Sequence, residues 1–171
     1  MADIVKTFSA ESDKLTFTIN SERNIATVKT EDLEARLRML EGEYPAYEAV
    51  VPTEFTTEIK FSKEELANGV KMANVFAKDS GNVIKVTANS ETIEVLSQPT
   101  ETGSNSTKIV GQVDGDDIEI AFNAKYLIEF FGVITEEDIV FKASEATKPG
   151  LFVIEGNKDY FYLVMPMKAS W

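Results

Sequence analysis

From Phe55 onward the apolar and polar positions follow one order, written twice. "TEIKF" (57–61) alternates and predicts a strand. Ser62 then stands where a helix N-cap belongs, and Glu65, three residues on, completes a capping box. Leu66, Val70, Ala73 and Ala77 recur at spacings of four, three and four and mark one helical face. "KDSGN" stops that helix. Three strand-like runs follow, "VIKVTA", "TIEVLSQ" and "STKIVGQV", separated by "NSE" and "PTETGSN". "DIEIAF" opens the second round, Asn123 caps a helix over "AKYLIEFFGVI", and "DIVFKA", "LFVIEG" and "YFYLVMP" complete it.

The pattern is therefore strand, helix, three strands, over about Phe55–Val113 and again over Asp117–Met167. It predicts an α+β domain with two amphipathic helices on one side of antiparallel sheets, because the turns are too short for parallel crossovers. Upstream, "KLTFTI", "NIATVKT" and "LEARLRML" read as three strands, with Leu15, Phe17 and Ile19 on one face. They look like the end of another such half. "EGEYPAYEAVVPTEF" carries two prolines and no clear period, so it reads as a surface connector. The expected division is a partial domain over 1–54 and a complete one over 55–171.

Composition narrows the chemistry. The 171 residues are 43% hydrophobic, enough for a core, without an apolar run long enough to span a bilayer. The first residues lack the layout of a secretory signal, and cysteine is absent, so a cytoplasmic setting is expected. Without histidine or cysteine, Ser-His-Asp and Cys-His nucleophiles and the usual zinc sites are excluded. No pair of acids stands in a setting suited to general acid–base work, so a non-enzymatic protein without cofactor or metal is expected. "DGDDIE" (114–119) begins like a calcium loop but lacks its sixth-position glycine and terminal glutamate, so it reads as a turn before a strand. "TKPG" (147–150) reads as a Pro-Gly turn and "NST" at Asn105 as a polar loop. The net charge of −12 opposes indiscriminate nucleic-acid binding but leaves room for a local basic face.

The last strand is unusually apolar. "YFYLVMPM" (160–167) contains no charge, and a proline sits between two methionines. Two readings are open, a buried strand or a binding wall. Alternation allows both, since Phe161, Leu163 and Met165 face opposite to Tyr162, Val164 and Pro166.

"LEGEYPAYEAVVP" (40–52), "IAFNAKYLIEFF" (120–131), "SEATKPGLF" (144–152) and "YLVMPM" (162–167), in this order, resemble the bacterial beta sliding clamp, a subunit of DNA polymerase III. The resemblance implies the DNA-clamp fold, with 55–171 as the family's third domain and about 6–52 as the second half of its middle domain. It makes the chain a C-terminal portion of a clamp.

In the family, two chains close a ring around duplex DNA. A cleft between the second and third domains takes short hydrophobic peptides from the polymerase catalytic subunit, the clamp loader and repair proteins. By resemblance, the cleft residues here are Pro45, Val50, Asn123, Tyr126, Thr147, Pro149, Leu163, Val164, Met165, Pro166 and Met167. Met165 and Met167 suit such a role because thioether side chains adapt to several ligands. Ala46 stands where the family often has an acid, and Ala49 where it often has arginine. The chain also runs on past Lys168, and Trp171 would cover the cleft or meet a partner. Family helices line the DNA channel, so Lys63, Lys71, Lys78 and Lys125 are the DNA-facing candidates, against the alternative of an ordinary solvated helix face. A second functional reading is a non-catalytic peptide-binding or dimerisation module that does not encircle DNA.

Overall fold

The computed structural model describes residues 8, 14–44, 46–90 and 92–171, with 158 and 159 described by their backbone. The chain divides into two compact units, Met1–Pro45 and Ala46–Trp171.

The first unit holds a three-stranded antiparallel sheet, β1 (Thr16–Asn20), β2 (Ile25–Lys29) and β3 (Glu34–Arg38), in that order. Phe17 pairs with Val28 and Ile19 with Ala26, so the apolar positions share a face. Val28 and Ala26 are buried, whereas Leu15, Phe17 and Ile19 stay about half exposed.

The second unit contains β4 (Thr57–Ser62), α1 (Lys63–Ala77), β5 (Val83–Ala88), β6 (Ile93–Ser97), β7 (Ser106–Ile109) and β8 (Gly111–Gly115). Its second half contains β9 (Ile118–Asn123), α2 (Ala124–Val133), β10 (Asp138–Ala143), β11 (Gly150–Ile154) and β12 (Asn157–Val164). One sheet has the order β7-β6-β5-β9, the other β12-β11-β10-β4-β8. Every pairing is antiparallel. The two halves exchange their opening strands: β4 pairs with β10 of the second half, and β9 pairs with β5 of the first.

One apolar core spans both sheets and both helices, built on residues such as Ile59, Val70, Ile84, Leu127 and Phe141. Phe122 of β9 and Phe141 of β10 meet edge to face at 5.8 Å and join the sheets. Both helices appear where the periodicity places them. The first runs on into a 3-10 turn (Lys78–Ser80) that closes on Gly81 in the left-handed region (φ 78°), and the N–H of Asn82 bonds the Ala77 carbonyl at 2.7 Å.

Three local expectations are corrected. "STKIVGQV" is not one strand. It breaks at Val110, so that β7 belongs to one sheet and β8 to the other. Gly111 makes the passage possible, because a Cβ there would lie 2.5 Å from the Lys60 carbonyl and 2.5 Å from Ile93 Cδ1.

The capping box does not form either. Ser62 makes no side-chain cap bond, and the Glu65 carboxylate instead accepts the Val110 N–H at 3.0 Å, steadying the passage between sheets. The Lys63 N–H finds the Glu137 carbonyl at 2.7 Å, so one orphan donor of the helix is met by a neighbouring loop.

The turn before β11 closes at Glu145–Lys148, with the Lys148 N–H on the Glu145 carbonyl at 3.1 Å, and not over 147–150. Gly150 already lies in β11, where an added Cβ would meet the Phe141 ring at 2.4 Å. Its glycine makes room for a ring. "DGDDIE" does form the turn into β9, closed by the Asp116 N–H on the Thr56 carbonyl (3.2 Å) and by Thr57 Oγ1 on the Asp116 carbonyl (2.8 Å).

Candidate functional site

Strand β12 and the tail behind it carry five of the eleven expected cleft residues, Leu163 to Met167. On the inner side, the Tyr162 ring stacks on Phe130 at 4.6 Å with the planes 11° apart. Its hydroxyl donates to the Tyr126 carbonyl at 3.2 Å, tying the strand to the first turn of α2. Burial pushes the Tyr162 phenol above its usual pKa, and the nearby Glu129 charge adds to the rise. Val164 is buried opposite Gly150, and Leu163 lies opposite Leu151.

The other side of the strand looks outward. Phe161 is 41% exposed, and its ring lies 6.4 Å from Tyr47, in the short 3-10 turn Tyr47–Ala49 of the connector. Val50 follows that turn, 45% exposed, its N–H on the Tyr47 carbonyl at 2.8 Å. Met165 is 59% exposed. Thus β12 turns Val164 into the core and leaves Phe161 exposed, and Met165 just beyond it is exposed as well.

After Val164 the chain leaves the five-stranded sheet. Met167 donates its N–H to the Ala121 carbonyl of β9 at 2.7 Å, on the edge of the four-stranded sheet. This repeats the earlier passage from β7 to β8. Lys60 faces Gln112 across β4 and β8, as Ala121 faces Met167. Met165-Pro166 therefore takes the place of Val110-Gly111. In the first half β8 pairs along β4 from Gly111 to Gly115, whereas the tail makes one bridge to β9.

The remaining expected residues are less concentrated. Pro149 precedes Gly150 and so lies beside the end of β12. Thr147 is exposed at the tip of the Glu145–Lys148 turn. Asn123 works as the α2 cap, its side-chain oxygen accepting the Lys125 N–H at 3.0 Å. Pro45 lies outside the described residues.

Among the lysines, Lys63 is largely covered, donating to the Ile134 carbonyl at 3.3 Å and facing Glu137 at 3.6 Å. Lys63 and Lys71 line an open groove of about 510 Å³ between the helices, together with Glu64, Glu137 and Phe131. Lys71, Lys78 and Lys125 are exposed. Among the described residues, no group of three or more acidic side chains is arranged to hold a metal ion, and no helix is long and apolar enough to cross a membrane.

Trp171 packs on Lys85, one strand in from the Ala121–Met167 bridge. Its ring sits 4.7 Å from the Lys85 ammonium on β5, and Lys85 also donates to the Trp171 main-chain oxygen and pairs with Glu119 of β9 at 2.8 Å. Lys85, Glu119 and Tyr47 are not among the residues the sequence singles out, and Phe161 is, only as one face of the last strand. Alternation gives Phe161 an outward side chain, but nothing along the chain brings Trp171 to Lys85.

Comparison with known proteins agrees with this architecture. The family described as DNA polymerase III beta subunit, C-terminal domain, matches residues 48–168. A beta sliding clamp of Synechocystis sp. is 26% identical over 159 residues, covering 92% of this chain and 40% of that relative. One of Bacillus subtilis is 28% identical over 135 residues, covering 77% of this chain and 36% of the relative. The crystal structure of the DNA polymerase III beta subunit of Thermotoga maritima superposes with a TM-score of 0.84 at 24% identity, over 98% of this chain and 46% of the other. This chain thus spans less than half the length of these relatives. With the family matched over most of the second unit, and with two halves that each pass one strand between sheets, the chain belongs to the beta sliding clamp family of DNA polymerase III.

Proposed function

We propose that this chain is the C-terminal, partner-binding portion of a DNA sliding clamp, and that the outer side of β12 with its tail is a wall for short hydrophobic peptides. The observation that carries this reading is the division of labour along one strand. Tyr162 and Val164 are held by Phe130, Tyr126 and Gly150, so Phe161 stays 41% exposed on a fixed strand, and Met165 and Met167 follow just beyond it, 59% and 38% exposed. Exposed apolar side chains on a fixed strand mark an interaction site more than a folding need. Partners of this kind are the polymerase III catalytic subunit, the clamp loader and repair proteins.

The wider function follows as tethering. A ring of such chains holds the polymerase on duplex DNA by topology and catalyses nothing. Exposed Lys71, Lys78 and Lys125 would meet phosphates weakly, as sliding requires. Lys63, held by Glu137, is the least available of the four. Self-association would use strand edges, of which β7 is one.

The test is binding of a fluorescein-labelled peptide rich in leucine and phenylalanine. Micromolar binding that disappears in Met165→Ala/Met167→Ala supports the wall. A well-folded protein that binds no peptide overturns it. The dimerisation-module reading draws on the half-exposed Leu15, Phe17 and Ile19. Sedimentation showing a stable dimer that is not retained on circular DNA would favour it over the ring.

A further inference from the structure

The tail beyond Met167 has a task that the wall itself does not explain. Lys85 lies on the outer face of the four-stranded sheet, opposite Ala121 of β9 and Leu96 of β6. A lysine on such a face normally extends into water. Here it is 9% exposed. Three groups surround its ammonium: the Glu119 carboxylate at 2.8 Å, the main-chain oxygen of Trp171, and the Trp171 ring at 4.7 Å. Carboxylate, carbonyl and indole face each satisfy a cation, and together they make a clasp stronger than an exposed ion pair.

The clasp lies where the tail needs it. Met165, Pro166 and Met167 hang between two fixed points, the β11–β12 ladder at Gly150–Val164 and the bridge from Met167 to Ala121. One backbone bond holds a chain poorly. The matching passage in the first half is held by continuous pairing from Gly111 to Gly115. The tail lacks that ladder, and Trp171 on Lys85 gives it a second anchor.

We infer that Trp171 is a positioning residue for peptide binding: by clasping Lys85 it holds the tail along β9 and sets Met165 and Met167 as a wall. This rests on the peptide-binding reading above. Trp171 meets no peptide in this arrangement. It acts through the tail, so its loss lowers affinity without removing a contact.

Trp171 is the one tryptophan in the chain, so its fluorescence reports the clasp directly. The experiment compares the full chain with Trp171→Ala, Trp171→Phe and Lys85→Met, using acrylamide quenching and the same leucine- and phenylalanine-rich peptide. The expected result is slow quenching in the parent and fast quenching in Lys85→Met. Trp171→Ala and Lys85→Met should weaken peptide binding about three- to tenfold, the scale of one partly desolvated cation–π contact. Their thermal midpoints should stay close to the parent's, and Trp171→Phe should restore affinity because phenyl keeps a face for the ammonium.

Peptide binding equal to the parent's in both Trp171→Ala and Lys85→Met would overturn the positioning role while leaving the wall intact. Unchanged quenching in Lys85→Met would overturn the clasp itself. No binding by the parent would overturn the wall and the positioning role with it.

Discussion

The two passages between sheets, Val110-Gly111 and Met165-Pro166, occupy matching places and are held differently. The first is closed. Glu65 accepts the Val110 N–H, Gly111 fits against the Lys60 carbonyl and Ile93, and β8 runs on beside β4. The second is open, with two exposed methionines, a proline and a single bridge. A closed passage serves the fold. Exposure alone does not separate the two, since Val110 is 79% exposed and Met165 59%; what differs is that the open passage sets two methionines together, beside the exposed Phe161, without a ladder along them, an arrangement that suits a partner surface. The same topology thus yields a structural joint in one half and a candidate binding wall in the other.

The largest effect is expected from filling the closed passage. Gly111→Val should lower stability by about 1–3 kcal/mol through overpacking, whereas Pro166→Ala at the open passage should change it by no more than about 0.5 kcal/mol. Thermal unfolding of both variants reads the contrast, and equal losses would erase it. Next in size is Met165→Ala/Met167→Ala, expected to weaken peptide binding about tenfold or more while costing less than about 1 kcal/mol of stability. A loss of stability matching the loss of binding would return these residues to the core.

A smaller effect separates the two helix starts. Asn123→Ala should cost about 1 kcal/mol, because its side chain caps α2, and Ser62→Ala no more than about 0.5 kcal/mol, because its side chain makes no cap bond. Chemical denaturation of the two single variants suffices to rank them. The subtlest effect concerns Tyr162. Its raised pKa means that the folded state favours the neutral phenol. The associated stability is complete below the unfolded value of about 10 and is lost as pH rises through the higher folded value. Thermal midpoints measured across that alkaline range should fall more steeply for the parent than for Tyr162→Phe, and parallel slopes would dismiss the effect.

Much of this architecture is legible in the chain. Helical spacing placed both helices, and period-two alternation placed the strands and the two-sided character of β12. The failures share a cause. Ser62 and Glu65 form a sound local capping signal, but Glu65 has a better partner in Val110, far along the chain. "STKIVGQV" reads as one strand because its residue types do not change where it switches sheets. "TKPG" reads as a turn, yet Gly150 answers to Phe141. Local pattern reports what a segment prefers and is silent about which distant atoms crowd it. The Trp171–Lys85 clasp is invisible for the same reason.

The exchange of opening strands has a consequence for how the second unit comes into being. Strand β4 is made early in synthesis but waits for β8 and β10, since Phe61 pairs with Gly111 and Ser62 with Asp138. Neither half can complete a sheet from its own residues. Folding should therefore be slow and all-or-none, governed by contacts distant in sequence. A single cut in the Asp116-Asp117 turn would leave two pieces that remain interlocked, each supplying the strand that the other lacks.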